Sequence, residues 1–135
     1  MCNKENLPNR VVKANAAKLF AKVVQTDENG NALIVIVPGT EGKRYRVSFI
    51  RAQGLLYAVC DNISGDVPVQ CISHARVPCY HTMAAVQVAA ELKHRTVIWC
   101  ANEADALNLS NLYVGGTLFS VTMVATGSKM FGVQF

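Results

Sequence analysis

The stretch "PCYHTMAAVQVAAEL", residues 78–92, contains the strongest helix signal in the chain. From Tyr80 or His81 to about Leu92 it is rich in alanine and free of glycine and proline, a composition that favours a helix. Pro78 disfavours helical geometry at the residue before it, so the helix is expected to begin after this proline. Four residues share the face predicted to be buried: His81, Ala85, Val88 and Leu92.

The sequence before residue 78 predicts a second helix and three strands. Residues 10–25, "RVVKANAAKLFAKVVQ", space their apolar side chains as an amphipathic helix does. The run "ALIVIV" at 32–37 and the alternating "YRVSF" at 45–49 predict a hairpin, and "GLLYAVC" at 54–60 predicts a third strand. The predicted buried face of the N-terminal helix consists of Val12, Ala16, Leu19, Phe20 and Val23.

The sequence after residue 94 predicts a small β-α-β-β extension. Its elements are a strand at 96–100, a helix at 102–112, and strands in "TLFSVTMVA" and "KMFGVQF". Asn102 is the expected N-cap, with Glu103 and Asp105 in the first turn, where carboxylates suit the helix dipole. The predicted class is therefore α+β, with one region at 1–94 and the extension at 95–135 packed on it.

Composition and charge limit the functional classes. The chain has 135 residues, of which 51% are hydrophobic and 16% charged, enough apolar material for one folded domain. No apolar run approaches the roughly 18–20 residues needed to cross a bilayer, and the N-terminus has no apolar stretch typical of a secretory signal. We therefore expect a cytoplasmic protein with reduced thiols and no membrane association. Residues 1–51 hold nine Lys and Arg against four acids, which favours a basic N-terminal third.

A cluster of cysteines and histidines in the middle of the sequence predicts a metal site. Tetrahedral zinc takes four Cys, His or carboxylate ligands. One candidate set is Cys60, Cys71, Cys79 and His81, and the other replaces Cys60 by His74. Side chains two residues apart within a helix diverge by about 200°. Cys79 and His81 can therefore share an ion only if the cysteine lies in the loop and the histidine in the first helical turn.

The order of helix, hairpin with "YRV", cysteines and "PCYHTMAAV" resembles the SWIM-type zinc finger, whose pattern is Cys-x-Cys followed by Cys-x-His. Cys79-x-His81 matches the second half, whereas the chain has no Cys-x-Cys. The resemblance implies an N-terminal helix, a hairpin and a β-β-α zinc-finger-like unit holding structural Zn²⁺. It favours Cys60 over His74 as the fourth ligand, because Cys60 ends the strand that follows "YRV", where the family has its first pair of cysteines.

The resemblance also implies a module that binds DNA or a protein partner. The alternative from the residues is a metal-free structural or protein-interaction domain with a degenerate finger. No set of side chains has the spacing of a catalytic site, so we do not expect an enzyme. The residues predicted to contact nucleic acid are Lys18, Lys22, Lys43, Arg44, Arg46 and Arg51.

Overall fold

The fold is known from a computed structural model that describes residues 7–71 and 78–135. The helices within these ranges are α1 (Leu7–Lys18), α2 (Tyr80–Leu92) and α3 (Glu103–Leu112). The strands are β1 (Lys22–Thr26), β2 (Ala32–Pro38), β3 (Arg44–Ala52), β4 (Leu55–Asn62), β5 (Val69–Gln70), β6 (Val97–Cys100), β7 (Thr117–Met123) and β8 (Lys129–Gln134). The predicted α+β class is confirmed. None of the helices in these ranges is long and apolar enough to cross a membrane.

The strands form one mixed sheet in the order β1-β2-β3-β4-β7-β8-β6. The short strand β5 pairs with the last two residues of β4, Asp61 and Asn62. The first four strands make antiparallel pairs, with Val35 opposite Val47 and Val47 opposite Cys60. β4 and β7 are parallel, with Leu56 opposite Val121. The sheet therefore continues across residue 94. The division into regions 1–94 and 95–135 stays a prediction.

The helices cover opposite faces of this sheet. Along β8, Met130 belongs to the large core that includes α2, whereas Val133 packs with Ala106 of α3. Because alternate residues of a strand point to opposite faces, α2 and α3 lie on different sides. α1 packs against α2, so the main core is formed by two helices on the inner face of the N-terminal strands.

The N-terminal helix differs from its prediction in length and in face. It ends at Lys18, and residues 22–26 form β1 instead, paired with β2. The β-branched Val23 gains a partner in Val35 across the sheet, which the helical alternative does not offer. The buried residues of α1 are Arg10, Ala14 and Ala17, and Phe20 is 75% exposed. Small alanines allow α1 to approach α2, Leu7 and Val11 pack partly against the core, and Val12 faces outward.

The other two helices follow the sequence closely. α2 begins at Tyr80, and α3 is capped by Asn102, whose side chain accepts a hydrogen bond from the Asp105 N–H at 2.8 Å. The predicted buried face of α2 is correct at His81 and Ala85, but Leu92 is 47% exposed because the helix leaves the core at its last turn. Eight of its thirteen residues are buried, so α2 is covered on more than one face.

Candidate metal centre

Cys60 and Cys71 are brought together by the short β4–β5 pairing. Asp61 lies opposite Gln70 in this pair, and the Cys71 N–H then donates to the Cys60 carbonyl at 2.8 Å. Cys60 points from β4 into the core and is 1% exposed, whereas Cys71 is half-buried. The backbone ladder therefore aligns two thiols that are separated by ten residues in the sequence.

Cys79 and His81 meet the geometric condition for converging on one point. Cys79 is the N-cap of α2 in an extended conformation (φ −70°, ψ 161°), and His81 lies in the first turn of that helix. The thiol of Cys79 does not cap the helix, so it is free to point toward the other cysteines. The loop-to-helix transition after Pro78 thus places the two side chains on the same side.

The four candidate ligand atoms of Cys60, Cys71, Cys79 and His81 all lie within 4.8 Å of one another. A zinc tetrahedron with bonds of 2.0–2.3 Å has edges of about 3.3–3.8 Å, so small side-chain rotations suffice to close the cluster around an ion. Thiolate and imidazole donors favour zinc over magnesium or calcium, which prefer oxygen. The donors and their spacing fit a metal ion. The alternative ligand His74 lies outside the described residues.

The imidazole of His81 is buried and has no hydrogen-bond partner among the residues that the structure describes. The residue is 5% exposed, and neither ring nitrogen is hydrogen-bonded within the described part of the chain. Its ring stacks on the Tyr45 ring with centroids 3.6 Å apart. The Tyr80 ring lies tilted against the imidazole, with centroids 4.1 Å apart. A buried polar nitrogen normally has a partner, because leaving it unpaired costs about 1–3 kcal/mol. A metal ion among the thiols would supply one.

The electrostatics of the thiols also favour a cation. Hydrogen bonds from Cys71 and Cys79, followed by burial, raise the pKa of Cys60 far above its usual range. For Cys79 the hydrogen bond with Cys60 lowers the pKa, but the hydrogen bond with Cys71 and burial outweigh it, and the net shift is upward. The buried thiols therefore resist ionisation unless positive charge is placed between them.

Two further contacts support the start of α2. Arg10, which is 5% exposed, donates from Nη1 to the Pro78 carbonyl at 3.2 Å and lies 3.9 Å from the Met83 sulfur. The Arg10 guanidinium therefore bonds to the residue before Cys79, and Cys79 itself lies at the positive end of the α2 dipole. The Thr82 hydroxyl lies 3.3 Å from the Cys79 sulfur, where it can donate to a thiolate.

Sequence reasoning missed the residues that hold the imidazole. A Cβ added at Gly39 would overlap the Tyr45 ring and lie 3.4 Å from His81 Nε2, so the ring stack requires glycine at this position. No local pattern in the sequence indicates that Tyr45 of β3 and His81 of α2 are neighbours.

The predicted nucleic-acid residues do not share one surface. Lys18 forms an ion pair with Glu91 at 2.6 Å, and Arg46 pairs with Asp61 at 3.4 Å. The strand registers place Lys22, Arg44 and Arg46 on the sheet face opposite α2, whereas Arg51 lies on the α2 side. Lys22, Lys43 and Arg44 are exposed. Nucleic-acid contact by these residues stays a prediction.

Comparison with known proteins gives no relative: no protein-family model, curated protein or solved structure matches the chain. The functional argument therefore rests on the geometry of the cluster.

Proposed function

We propose that the chain is a SWIM-like binding module in which Cys60, Cys71, Cys79 and His81 hold one structural zinc ion. The observation that carries this proposal is the buried imidazole of His81, which lacks a hydrogen-bond partner among the described residues and lies within 4.8 Å of three sulfur atoms. Burial alone accounts for cysteines in a core, but it does not account for an unpaired imidazole beside them.

The ligand set favours a structural role over a catalytic one. Four protein ligands leave no open position for water or substrate, unlike catalytic zinc sites, which have three. Bound zinc would join the end of β4 to the start of α2. With Zn²⁺, three thiolates and a neutral imidazole would give the site a net charge of −1, and the Arg10 guanidinium, which bonds to the Pro78 carbonyl, would partly offset it.

Metal content tests the ligand set directly. Protein purified without chelators should contain one zinc per chain, and Cys79→Ala should lose it while His74→Ala retains it. Cobalt substitution provides a second measurement, because thiolate-to-cobalt charge-transfer bands should weaken stepwise when Cys60 or Cys71 is replaced. Protein that is purified without chelators and contains no zinc, or His74→Ala protein that loses the ion, would contradict the proposal. The first outcome would support a degenerate, metal-free finger.

For the partner of the module we propose nucleic acid, contacted through Lys22, Lys43 and Arg44. These three cations are exposed and lie at or beside the same sheet face, which supports an electrostatic surface. Arg46 contributes less because Asp61 already neutralises it. A protein partner is the other outcome that the SWIM resemblance implies.

Salt dependence distinguishes these partners. If the surface binds phosphates, affinity for duplex DNA should fall steeply between 50 and 200 mM salt, and Lys43→Gln/Arg44→Gln should reduce the slope by about two. Lys129→Gln is the control for loss of a positive charge elsewhere. DNA binding that is absent, or equally strong in the double variant, would refute the nucleic-acid proposal and leave the zinc proposal intact.

A further inference from the structure

A cleft opens where the parallel pair β4–β7 begins. Pairing starts at Leu56 opposite Val121, so the first residues of β7, from Thr117 to Phe119, extend past the beginning of β4. On the other side β4 turns back to β3 through Gln53 and Gly54. The last turn of α2 lies behind this gap. The result is a cleft of about 660 Å³.

Most of the contact surface of the cleft is apolar. The β3–β4 hairpin contributes Phe49 and Leu56, α2 contributes Val86 and Ala89, and β7 contributes Phe119. Both the volume and the lining are typical of small-molecule sites, which occupy about 300–1,000 Å³ and are mostly hydrophobic. The cleft is therefore large enough for an organic ligand and suited to an apolar one.

The charged residues of the cleft are mainly basic. Arg51, Lys93 and Arg95 line it, against one acid, Glu103. Among the described residues none of these three cations forms an ion pair, although Arg51 donates a hydrogen bond of 3.4 Å to the Ala32 carbonyl. Cations beside an apolar cavity complement a molecule that has an anionic head and an apolar body.

We propose that this cleft binds a small amphiphilic carboxylate, with its apolar body against Phe49 and Phe119 and its carboxylate at Lys93 and Arg95. The site is separate from the metal centre, since Lys93 lies roughly 18 Å along α2 from His81. The inference does not depend on zinc or on nucleic-acid binding.

The probe for this proposal is decanoate below its micellar concentration, compared with the neutral decanol. Trp99 provides the signal, because it is the single tryptophan and its ring packs edge-on against Phe119 with centroids 5.5 Å apart. Decanoate should change the fluorescence saturably, and calorimetry should give one site per chain. Decanol should bind about tenfold more weakly or not at all, since it cannot form charge-assisted hydrogen bonds.

Three variants locate the binding site. Lys93→Gln and Arg95→Gln should each weaken decanoate binding about tenfold while leaving decanol unchanged, and Ala89→Phe should block both ligands by filling the cleft. Lys129→Gln, the same substitution outside the cleft, should bind like the parent chain. Circular dichroism establishes that each variant is folded, and the two glutamine variants suffice if Ala89→Phe is not.

Three results would overturn the proposal: non-saturable binding of decanoate, equal affinity for decanol, or unchanged affinity in both glutamine variants.

Discussion

Replacing Cys60 and Cys100 in turn tests whether a metal ion bound at the proposed site contributes to stability. Both cysteines are buried, at 1% and 8% exposure, and Cys→Ala removes one sulfur atom from each. Cys60 belongs to the candidate metal cluster, whereas Cys100 packs with Ala106 and Val133 on the other face of the sheet. The two substitutions therefore match in chemistry and burial and differ in their relation to the ion.

The expected free energies follow from this difference. Deleting one buried heavy atom costs about 1 kcal/mol, by analogy with Ile→Val, and this cost should apply to both variants. When free zinc is 1,000-fold above its dissociation constant, binding stabilises the native state by about 4 kcal/mol. If Cys60→Ala abolishes binding, it should lower the free energy of unfolding by about 5 kcal/mol in zinc, against about 1 kcal/mol for Cys100→Ala.

Urea unfolding monitored by Trp99 fluorescence provides the measurement. The indole donates to Gln87 of α2 at 3.1 Å, so its environment changes when that helix leaves the sheet. The experiment is run in zinc-buffered solution and again with chelator. With chelator, the two variants should lose similar free energies of unfolding relative to the metal-free parent chain. Equal losses in zinc, or a difference between the two variants that persists with chelator, would refute the reasoning.

Three further substitutions test the surroundings of the ligands. Gly39→Ala should push the Tyr45 ring off the imidazole and cost about 1–3 kcal/mol in thermal or urea unfolding, whereas Gly65→Ala, with no atom within 4 Å of the added Cβ, should have little effect. Thr82→Val should weaken zinc binding about 10–100-fold in competition with a chromophoric chelator, and Thr82→Ser should restore it. Arg10→Met should destabilise the zinc-loaded protein by about 1.5–3 kcal/mol, measured by denaturant unfolding, and an equal loss with chelator would argue against a role in offsetting the charge of the site.

The sequence predicted the elements whose signals are local. Proline followed by an alanine-rich run predicted α2. The apolar run of β2 and the alternation in β3 predicted the hairpin, and Asn102 with its acidic first turn predicted α3. Each signal lies within one element and its flanking turn. The spacing argument for Cys79 and His81 belongs to the same class, because it depends only on where α2 begins.

Features that depend on distant residues were not predicted. The segment at 22–26 continues the helical spacing of apolar residues, but it forms a strand because β2 is available to pair with it. Likewise the parallel pairing of β4 with β7 joins residues more than sixty positions apart, and no local pattern indicates it. The Tyr45–His81 stack has the same origin, since it requires β3 to lie beneath the first turn of α2.

A metal ion at the start of α2 would compensate for the composition of that helix. Its buried residues include Ala84, Ala85 and Ala90, and burying a methyl group contributes about 0.8 kcal/mol, against about 1.5–3 kcal/mol for a larger apolar side chain. The first turn buries the polar His81 and Thr82, which add little hydrophobic stabilisation, and Met83 is its one large apolar side chain that is fully buried. Close packing by the small side chains of α2 allows the thiols and the imidazole to come together. The proposed coordination by ligands from β4 and α2 would add a further anchor at this turn, between the sheet and the alanine-rich helix.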